Sequence, residues 1–266
     1  GTPAIRPIGG GDAPAIGAAF PGTEATGSQV SYDPDKPRRV RAMFGTIAGR
    51  YDLLNSLLSF QMHKWWRRVA LRECRLAPGM VALDVGAGTA DMALGMAARV
   101  GATGHVVGID FCEPMLRLGV EKVARRGLAA RVQLAVGDAQ MLPLADESVD
   151  AAITAFVLRN VVDVPRTFAE MARVTRPGGR VVSLELARPA SPLFGRIYDL
   201  YFHRVLPRIG GLLSSKEAYT YLPNSLTGFH SVETLAAMMR AAGLQEVKVL
   251  RLTGGIVAVH VGRKPG

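Results

Sequence analysis

Residues 81–91, with the sequence VALDVGAGTAD, constrain the fold of this chain more than any other segment. An apolar run followed by a carboxylate and two glycines is typical of a buried parallel strand that turns sharply into a helix. A second apolar run ends at Asp110, 22 residues after Gly88. In nucleotide-binding folds, a carboxylate at that strand end accepts hydrogen bonds from ribose hydroxyls. The two segments together predict a site for an adenosyl cofactor.

The acidic residues of this loop favour a cationic ligand. A dinucleotide fingerprint would have glycine where this chain has Asp91, and Asp84 lies just upstream. Carboxylates at the start of a helix repel a pyrophosphate and attract positive charge. S-adenosylmethionine carries a sulfonium and an amino group, so we expect it to be the cofactor.

Length and composition are typical of one sizeable α/β domain with appendages. The 266 residues are 48% hydrophobic and 20% charged, which is sufficient for a full core. The two cysteines, Cys74 and Cys112, show neither metal-ligand spacing nor a disulfide framework. We therefore expect a reducing compartment and no bound metal.

The sequence shows neither the pattern of a signal peptide nor that of a membrane-spanning helix. Residues 1–35 are rich in Gly, Ala, Pro, Ser and Thr and lack the apolar core of a signal peptide, which predicts a disordered tail. A membrane span requires about 18 consecutive apolar residues, and the sequence has no such stretch free of charges.

The net charge of +10 is concentrated in one arm of the chain. Between Lys36 and Arg75 there are ten basic residues and only two acidic ones, Asp52 and Glu73. Such an arm attracts anionic lipid headgroups or nucleic-acid phosphate, or it is simply a solvated basic face.

Helix and strand signals alternate after this arm. Residues 40–77 are predicted to be helical, ending at Pro78-Gly79, and a turn at residues 177–179 is predicted before the fifth strand. Ser231 is the predicted N-cap of the last helix and Gly243 its end. The alternation predicts a parallel sheet covered by helices on both faces. The predicted strands are residues 81–85, 106–110, 132–136, 149–156, 181–186, 246–252 and 256–262, and the predicted helices are residues 91–99, 113–126, 164–174 and 232–242.

These elements divide the chain into three parts. After the tail (1–35) comes an N-terminal helical cap (36–79), followed by the cofactor-binding domain (80–266). Residues 191–230 interrupt that domain with an insertion that is rich in Leu, Ile, Tyr and Phe and is broken by Pro207 and Gly210-Gly211. We expect the insertion to form a helical cover over the pocket.

Several motifs in the same order resemble the UbiE-type quinone-biosynthesis C-methyltransferases, from Phe44 to Arg263. The resemblance implies a Rossmann-like class I methyltransferase fold: a seven-stranded, mostly parallel sheet with helices on both faces, an N-terminal helical cap and an inserted helical cover. The motifs are Tyr51-Asp52-Leu-Leu-Asn55 with Ser59, His63 and Trp66, the loop Gly86 to Asp91, Leu158-Arg159-Asn160-Val161, Arg176-Pro-Gly-Gly179 and Thr253-Gly-Gly-Ile-Val-Ala-Val-His260.

The activity that the resemblance implies is S-adenosylmethionine-dependent C-methylation of a polyprenylated quinol in respiratory quinone biosynthesis. The loop with Thr89, the segment Gly108-Ile-Asp110-Phe111 and Leu58-Ser59-Phe60 look more like members that convert demethylmenaquinol to menaquinol. Methylation of the benzoquinol precursor of ubiquinone or of another small phenolic acceptor stays open, because Val157 and Leu186-Ala187 depart from the family pattern near the expected acceptor.

The resemblance also implies a set of site residues. Arg159, after the fourth strand, would stabilise the phenolate of the acceptor, and Asn160 would orient its hydroxyl group. Ala155 stands where some relatives have serine, so we expect no side-chain hydrogen bond there. The expected cofactor-binding residues are Asp84, Gly86, Gly88, Thr89, Asp110, Phe111, Asp138, Ala139 and Ala155, with Asp138 and Ala139 beside the adenine.

The acceptor pocket is expected on the cap and the insertion. Helical spacing places Asp52, Asn55 and Ser59 on one face. His63 is either part of this pocket or a hydrogen-bonded structural histidine. The expected pocket residues are Tyr51, Asp52, Asn55, His63, Tyr198 and Tyr219.

The expected partners follow from the implied acceptor. A long isoprenoid tail cannot be dissolved in a polar cleft, so we expect the basic arm and the apolar insertion to meet a membrane surface peripherally. The expected location is the cytoplasm, with peripheral association at the inner membrane surface. A homodimer is compatible with the sequence.

Two other functions make different demands on the sequence. A nucleic-acid methyltransferase would show an Asp/Asn-Pro-Pro-aromatic turn where this chain reads Thr154-Ala-Phe-Val, or a cysteine that follows proline, which neither cysteine does. We therefore expect no nucleic-acid partner. A non-catalytic scaffold that binds the cofactor stays open, because a binding loop does not prove turnover.

Overall fold

The computed structural model describes residues 35–189, 191, 195, 200, 225–226 and 228–266. The predicted tail up to residue 34, Tyr198, Tyr219 and most of the predicted insertion lie outside the described residues.

The segment before the sheet forms three helices rather than one continuous one. They are α1 (Lys36–Ile47), α2 (Tyr51–Leu58) and α3 (Met62–Glu73), with a 3-10 turn (Ala48–Arg50) between the first two. The break between α2 and α3 occurs because Phe60 and Gln61 adopt left-handed backbone conformations, with φ of 48° and 64°. A left-handed residue cannot continue a right-handed helix.

The sheet has seven strands in the order β3-β2-β1-β4-β5-β7-β6. β1 to β5 are parallel, whereas β7 runs antiparallel to both β5 and β6. The predicted seven-stranded, mostly parallel sheet is therefore confirmed. The strands are β1 (Val81–Val85), β2 (His105–Asp110), β3 (Val132–Val136), β4 (Val149–Ala155), β5 (Thr175–Leu186), β6 (Gln245–Leu252) and β7 (Val257–Arg263).

Helices connect the strands and cover both faces of the sheet. They are α4 (Asp91–Val100), α5 (Glu113–Arg125), α6 (Val164–Val174) and α7 (Val232–Ala241). The predicted N-cap of α7 is confirmed, since Ser231 Oγ accepts a hydrogen bond from Thr234 N at 3.1 Å. Gly243 follows the helix with a φ of 84°, which favours glycine at a helix end.

The start of β5 differs from the prediction. The strand begins at Thr175, directly after α6, rather than at residue 181. Thr175 pairs with Val149, but the next pair joins Ala151 to Arg180, so the predicted turn at residues 177–179 is an irregularity within the strand. Gly178, with a φ of 78°, supplies the conformation that this bulge requires.

Two apolar layers enclose the sheet. On one face, α3 and α4 contribute buried residues such as Trp66 and Met96, and on the other, α6 and α7 contribute Phe168 and Met239. All five residues of β1 are buried, as expected for a central parallel strand. The carboxyl ends of the parallel strands lie outside these layers and carry the polar residues described next. Within the part of the chain that the structure describes, every helix is too short or too polar to cross a bilayer.

Candidate active site

The predicted site residues line one edge of the sheet. The strand order brings the carboxyl ends of β3, β2, β1, β4 and β5 side by side. Asp138 follows β3, Asp110 ends β2, Gly86 follows β1, Arg159 follows β4 and Glu185 lies at the end of β5. The chain order reverses between β1 and β4, and ligands of open α/β sheets bind at such a switch point.

The loop between β1 and α4 depends on its glycines. Gly86 has a φ of 78°, and a β-carbon there would lie 2.2 Å from Cγ2 of Val157. Gly88 has a φ of 51°, and its amide donates a hydrogen bond to Asp110 Oδ2 at 2.8 Å. Gly86 is thus required by the packing of Val157, and Gly88 by its positive φ, while the close approach of a ligand to this loop stays a prediction.

Asp110 is held by two backbone amides. Besides Gly88 N, Cys112 N donates to its Oδ1 at 2.8 Å. Burial raises the pKa of this carboxyl, and the amide hydrogen bonds oppose that rise. Each carboxylate oxygen can accept more than one hydrogen bond, so this geometry leaves capacity for a ribose hydroxyl.

Asp84 connects the end of β1 to the first turn of α4, the helix that follows the loop. Its carboxyl is buried, and Oδ2 accepts a hydrogen bond from Ala93 N in the first turn of α4 at 2.9 Å. Burial raises its pKa from 3.8 to about 7. Among the described residues, Oδ1 has no hydrogen-bond partner.

Asp91 does not provide the free negative charge that the sequence suggests. Its Oδ2 lies 2.6 Å from Arg67 Nη1, and its Oδ1 lies 2.9 Å from Lys122 Nζ. Burial alone would raise the pKa of Asp91, but these two cations hold it below its usual value. The protein's own cations therefore offset the charge of Asp91, and its attraction of a cationic ligand stays a prediction.

The same network connects the cap to the cofactor loop. Thr89 Oγ1 donates to Asp52 Oδ1 at 2.7 Å, and Lys122 Nζ donates to Thr89 Oγ1 at 3.0 Å. Lys122 also forms an ion pair with Asp52. Asp52, expected in the acceptor pocket, thus faces the cofactor loop. The sequence does not indicate the roles of Arg67 and Lys122, because ion pairs between residues distant in the chain leave no periodic pattern.

The expected catalytic pair follows β4 in a buried 3-10 turn (Leu158–Asn160). Arg159 Nη1 lies 2.5 Å from Glu185 Oε1, and both side chains are almost fully buried. Asn160 Nδ2 donates to the carbonyl of Phe156 at 3.4 Å. Phe156 itself has a φ of 63°, which turns the chain away from the strand. Glu185 is a pocket candidate from the sequence as well, and the structure adds its ion pair with Arg159.

His63 is buried and hydrogen-bonded. Its Nδ1 lies 2.6 Å from Ser59 Oγ, which also donates to the carbonyl of Asn55 at 2.6 Å. Burial, reinforced by Arg67, lowers the pKa of His63 to about 4, so the ring is neutral near pH 7. Ser59 is the residue after α2, so the expected shared face ends at the helix terminus.

Aromatic contacts attach the cap to the sheet edge. Trp66 Nε1 donates to Thr253 Oγ1 at 2.8 Å, and its ring packs edge-on against Phe156 with centroids 6.3 Å apart. Tyr51 makes a similar contact with Phe44 at 5.8 Å. These contacts place α3 beside the residues that follow β4.

The remaining expected residues lie at the rim. Asp138 is exposed, and its Oδ1 accepts a hydrogen bond from Gln140 N at 2.9 Å. Phe111, Ala139 and Ala155 are partly buried. A cavity of about 460 Å³ lies at the end of β5 and the start of α7. Its lining combines apolar residues (Leu186, Ala187, Leu226, Phe229 and Val232) with the charged Arg188, Glu233 and Arg251.

Comparison with known families decides the class of protein. The sequence profile of the ubiE/COQ5 methyltransferase family matches residues 33–264. The chain belongs to the ubiE/COQ5 methyltransferase family. The ubiquinone/menaquinone biosynthesis C-methyltransferase UbiE of Geotalea uraniireducens is 45% identical over 230 residues, which are 86% of this chain and 98% of the relative. The demethylmenaquinone methyltransferase of Halalkalibacterium halodurans is 43% identical, over 86% of this chain and 94% of the relative.

Solved structures support the fold of this ubiE/COQ5 family member. A SAM-dependent methyltransferase from Aquifex aeolicus aligns with a TM-score of 0.55 and 19% identity, over 88% of this chain and 99% of the other. The predictions of the family, of a methyltransferase and of the Rossmann-like fold are confirmed.

Proposed function

We propose that this protein transfers a methyl group from S-adenosylmethionine to a ring carbon of a polyprenylated quinol, converting demethylmenaquinol to menaquinol. Relatives that are 40–45% identical carry the names UbiE C-methyltransferase or demethylmenaquinone methyltransferase. The observation that carries the proposal is the contact of Val157 with Gly86, which joins the glycine loop to the turn that contains Arg159.

The cofactor loop fits S-adenosylmethionine. Gly88 adds no side chain to the loop, and Asp110 stands at the neighbouring strand end with capacity for ribose hydroxyls. Asp138 and Ala139 follow β3, the next strand along the edge, where an adenine would extend. When bound, the cofactor supplies an electrophilic methyl group on a sulfonium.

Residues at the ends of β4 and β5 are suited to activate the acceptor. A phenolic ring carbon becomes nucleophilic when its ring hydroxyl gives its proton to solvent, so a positive charge near the oxygen lowers the barrier. As the new C–CH3 bond forms, the S–CH3 bond breaks and S-adenosylhomocysteine leaves; the methylated carbon then loses its hydrogen as a proton while the ring oxygen regains one, so that one proton is released overall. Arg159 provides that charge in a buried setting, and Asn160 adjoins it. The cavity at the end of β5 offers Leu186, Ala187 and Phe229 as apolar contacts for the ring, although charged residues line it as well.

We also propose that residues 36–79 act as a cap over the site. Asp52 and Arg67 connect its helices to the cofactor loop, and Trp66 contacts both Phe156 and Thr253. Such a cap helps to exclude water from the reacting groups.

The acceptor is tested by offering reduced demethylmenaquinone and a reduced demethoxy-type benzoquinone side by side with methyl-labelled S-adenosylmethionine. Mass spectrometry should find the label on a ring carbon of the naphthoquinol in excess of the benzoquinol. Preferential labelling of the benzoquinol would move the assignment to the ubiquinone precursor. Cofactor binding without labelling of either acceptor would favour the scaffold function.

We further propose that the cap contacts an anionic membrane surface. Among the described residues, Leu53, Leu57, Phe60 and Trp65 are large apolar side chains left exposed, and Leu53 and Phe60 are 66% and 73% exposed. Leu53 and Leu57 lie one helical turn apart, so they share a face of α2. Exposed basic residues flank this patch, namely Lys64 and Arg68. Apolar side chains beside basic ones are typical of interfacial binding to acidic lipids.

Co-sedimentation with vesicles containing phosphatidylglycerol tests this contact. The variant Leu53→Ser/Leu57→Ser/Phe60→Ser should bind vesicles less than the wild type, and added salt should weaken wild-type binding. The matched control is Val120→Ser/Met141→Ser, which removes exposed apolar residues outside the cap and should bind normally. Equal binding of both variants, or binding that is insensitive to salt, would contradict the proposal.

A further inference from the structure

Glu185 is a deeply buried acidic residue that contacts the expected catalytic arginine, Arg159. Its side chain is 1% exposed and that of Arg159 is 8% exposed. Glu185 Oε1 lies 2.5 Å from Arg159 Nη1 and also accepts a hydrogen bond from Leu186 N at 3.0 Å. The backbone of β5 thus fixes the carboxylate, and the carboxylate fixes the guanidinium.

The pair is joined through one oxygen and one nitrogen only. Among the described residues, Glu185 Oε2 and Arg159 Nε are buried without a hydrogen-bond partner. A bidentate pair would engage two nitrogens of the guanidinium. The single contact therefore holds Arg159 in place while leaving further N–H groups able to donate to an acceptor oxygen.

Charge matters here because the methyl donor is a cation. Arg159 lies two residues after Val157, whose side chain packs against Gly86, and it follows β4, the strand that pairs with β1. An uncompensated guanidinium at this place would repel a sulfonium. Asp91, the acidic residue of the loop itself, is already paired with Arg67 and Lys122. Asp84 and Asp110 hold backbone amides and carry no cationic partner in the described residues.

We propose that Glu185 is a positioning residue that holds Arg159 and offsets its charge towards the methyl donor, so that the cationic donor and the guanidinium can share one site, while the N–H groups that Glu185 does not engage donate to the acceptor oxygen. This rests on the proposed function, in which Arg159 serves the acceptor. The role predicts an effect that depends on ligand charge. S-adenosylmethionine carries the sulfonium, whereas its product S-adenosylhomocysteine has a neutral thioether and otherwise the same groups.

Calorimetric titration of both ligands into the full chain tests the proposal. Glu185→Gln keeps the size of the side chain but removes its charge, so S-adenosylmethionine should lose about tenfold more affinity than S-adenosylhomocysteine. Glu185→Asp, which keeps the charge, should retain most of the wild-type affinity ratio. Arg159→Gln should shift that ratio in the opposite direction, towards S-adenosylmethionine, because it leaves the carboxylate uncompensated.

Equal losses for the two ligands in Glu185→Gln, or an unchanged ratio in Arg159→Gln, would overturn the proposal. If Glu185→Gln fails to fold, as judged by far-ultraviolet circular dichroism, the Arg159→Gln ratio and the double variant Glu185→Gln/Arg159→Gln decide instead. The double variant removes both charges and should restore the wild-type ratio. These titrations require no acceptor, so a wild type that binds both ligands but methylates no quinol would refute the proposed function and leave this test intact.

Discussion

The side chain of Val157 occupies the space into which a side chain at Gly86 would extend. A β-carbon on Gly86 would lie 2.2 Å from Val157 Cγ2 and 2.8 Å from Cγ1. The contact joins the loop after β1 to the residues that lead into the Leu158–Asn160 turn. The loop of the expected cofactor site is therefore packed against the segment that leads to the expected catalytic arginine.

Gly86→Ala should weaken donor binding at least tenfold and lower the free energy of unfolding by about 2–4 kcal/mol, because overpacking adds to the strain of a positive φ. In the double variant Gly86→Ala/Val157→Ala, stability and donor affinity should recover only by the amount that overpacking had cost, because the strain of the positive φ remains. Gly49→Ala is the matched control, since its added methyl meets no atom within 4 Å and φ is not in the left-handed range. Calorimetry and urea unfolding measure both effects, and wild-type donor affinity in Gly86→Ala would contradict this packing.

Lys122 should stabilise the cap against the cofactor loop. Lys122→Met removes its contacts with Asp52, Thr89 and Asp91, and we expect a loss of about 1–2 kcal/mol because these groups are only partly exposed. Arg117→Met on the same helix is the control, since its pair with Glu113 is largely exposed and should contribute less than about 0.5 kcal/mol. Urea unfolding compares the two, and equal losses would show that the network does not stabilise the fold.

The buried Asp84 should make stability fall as pH rises. Its pKa of about 7 in the folded state lies above the value of 3.8 for an exposed carboxyl, so the folded protein binds the proton more tightly. The contribution is fully present below pH 4 and is lost as the pH rises towards 7. The free energy of unfolding of Asp84→Asn should therefore equal that of the wild type near pH 4 and exceed it by on the order of 4 kcal/mol at pH 8.

Urea unfolding of the two proteins at several pH values measures that difference. The comparison is between variant and wild type at each pH, so titration of other groups largely cancels. A difference in unfolding free energy that stays constant from pH 4 to pH 8 would show that Asp84 does not titrate as its burial requires.

Most of the sheet could be predicted from the sequence because its signals are local. The apolar run and the two glycines define β1 and the loop, and Ser231 and Gly243 mark the ends of α7. The sequence predicts the helical cap as one segment, because no glycine marks the left-handed conformations of Phe60 and Gln61 that end α2.

The charge distribution of the site could not be predicted, because it depends on residues that are distant in the chain. Lys122 lies 31 residues after Asp91, and Glu185 lies 26 residues after Arg159. Only the parallel strand order brings these pairs together. The acidic residues of the loop were therefore interpreted as free charges, although Asp91 is paired within the protein.

The central claim is that Arg159 activates a quinol beside the methyl donor, and a single-turnover assay on Arg159→Gln tests it most directly. Methyl-labelled S-adenosylmethionine is bound to the variant at saturation, reduced demethylmenaquinone is added, and labelled menaquinol is measured by mass spectrometry over time. We predict that the variant binds the donor but forms labelled product at least a hundredfold more slowly than the wild type, as expected for loss of a charge that stabilises the developing phenolate. Product formation at the wild-type rate would contradict this account.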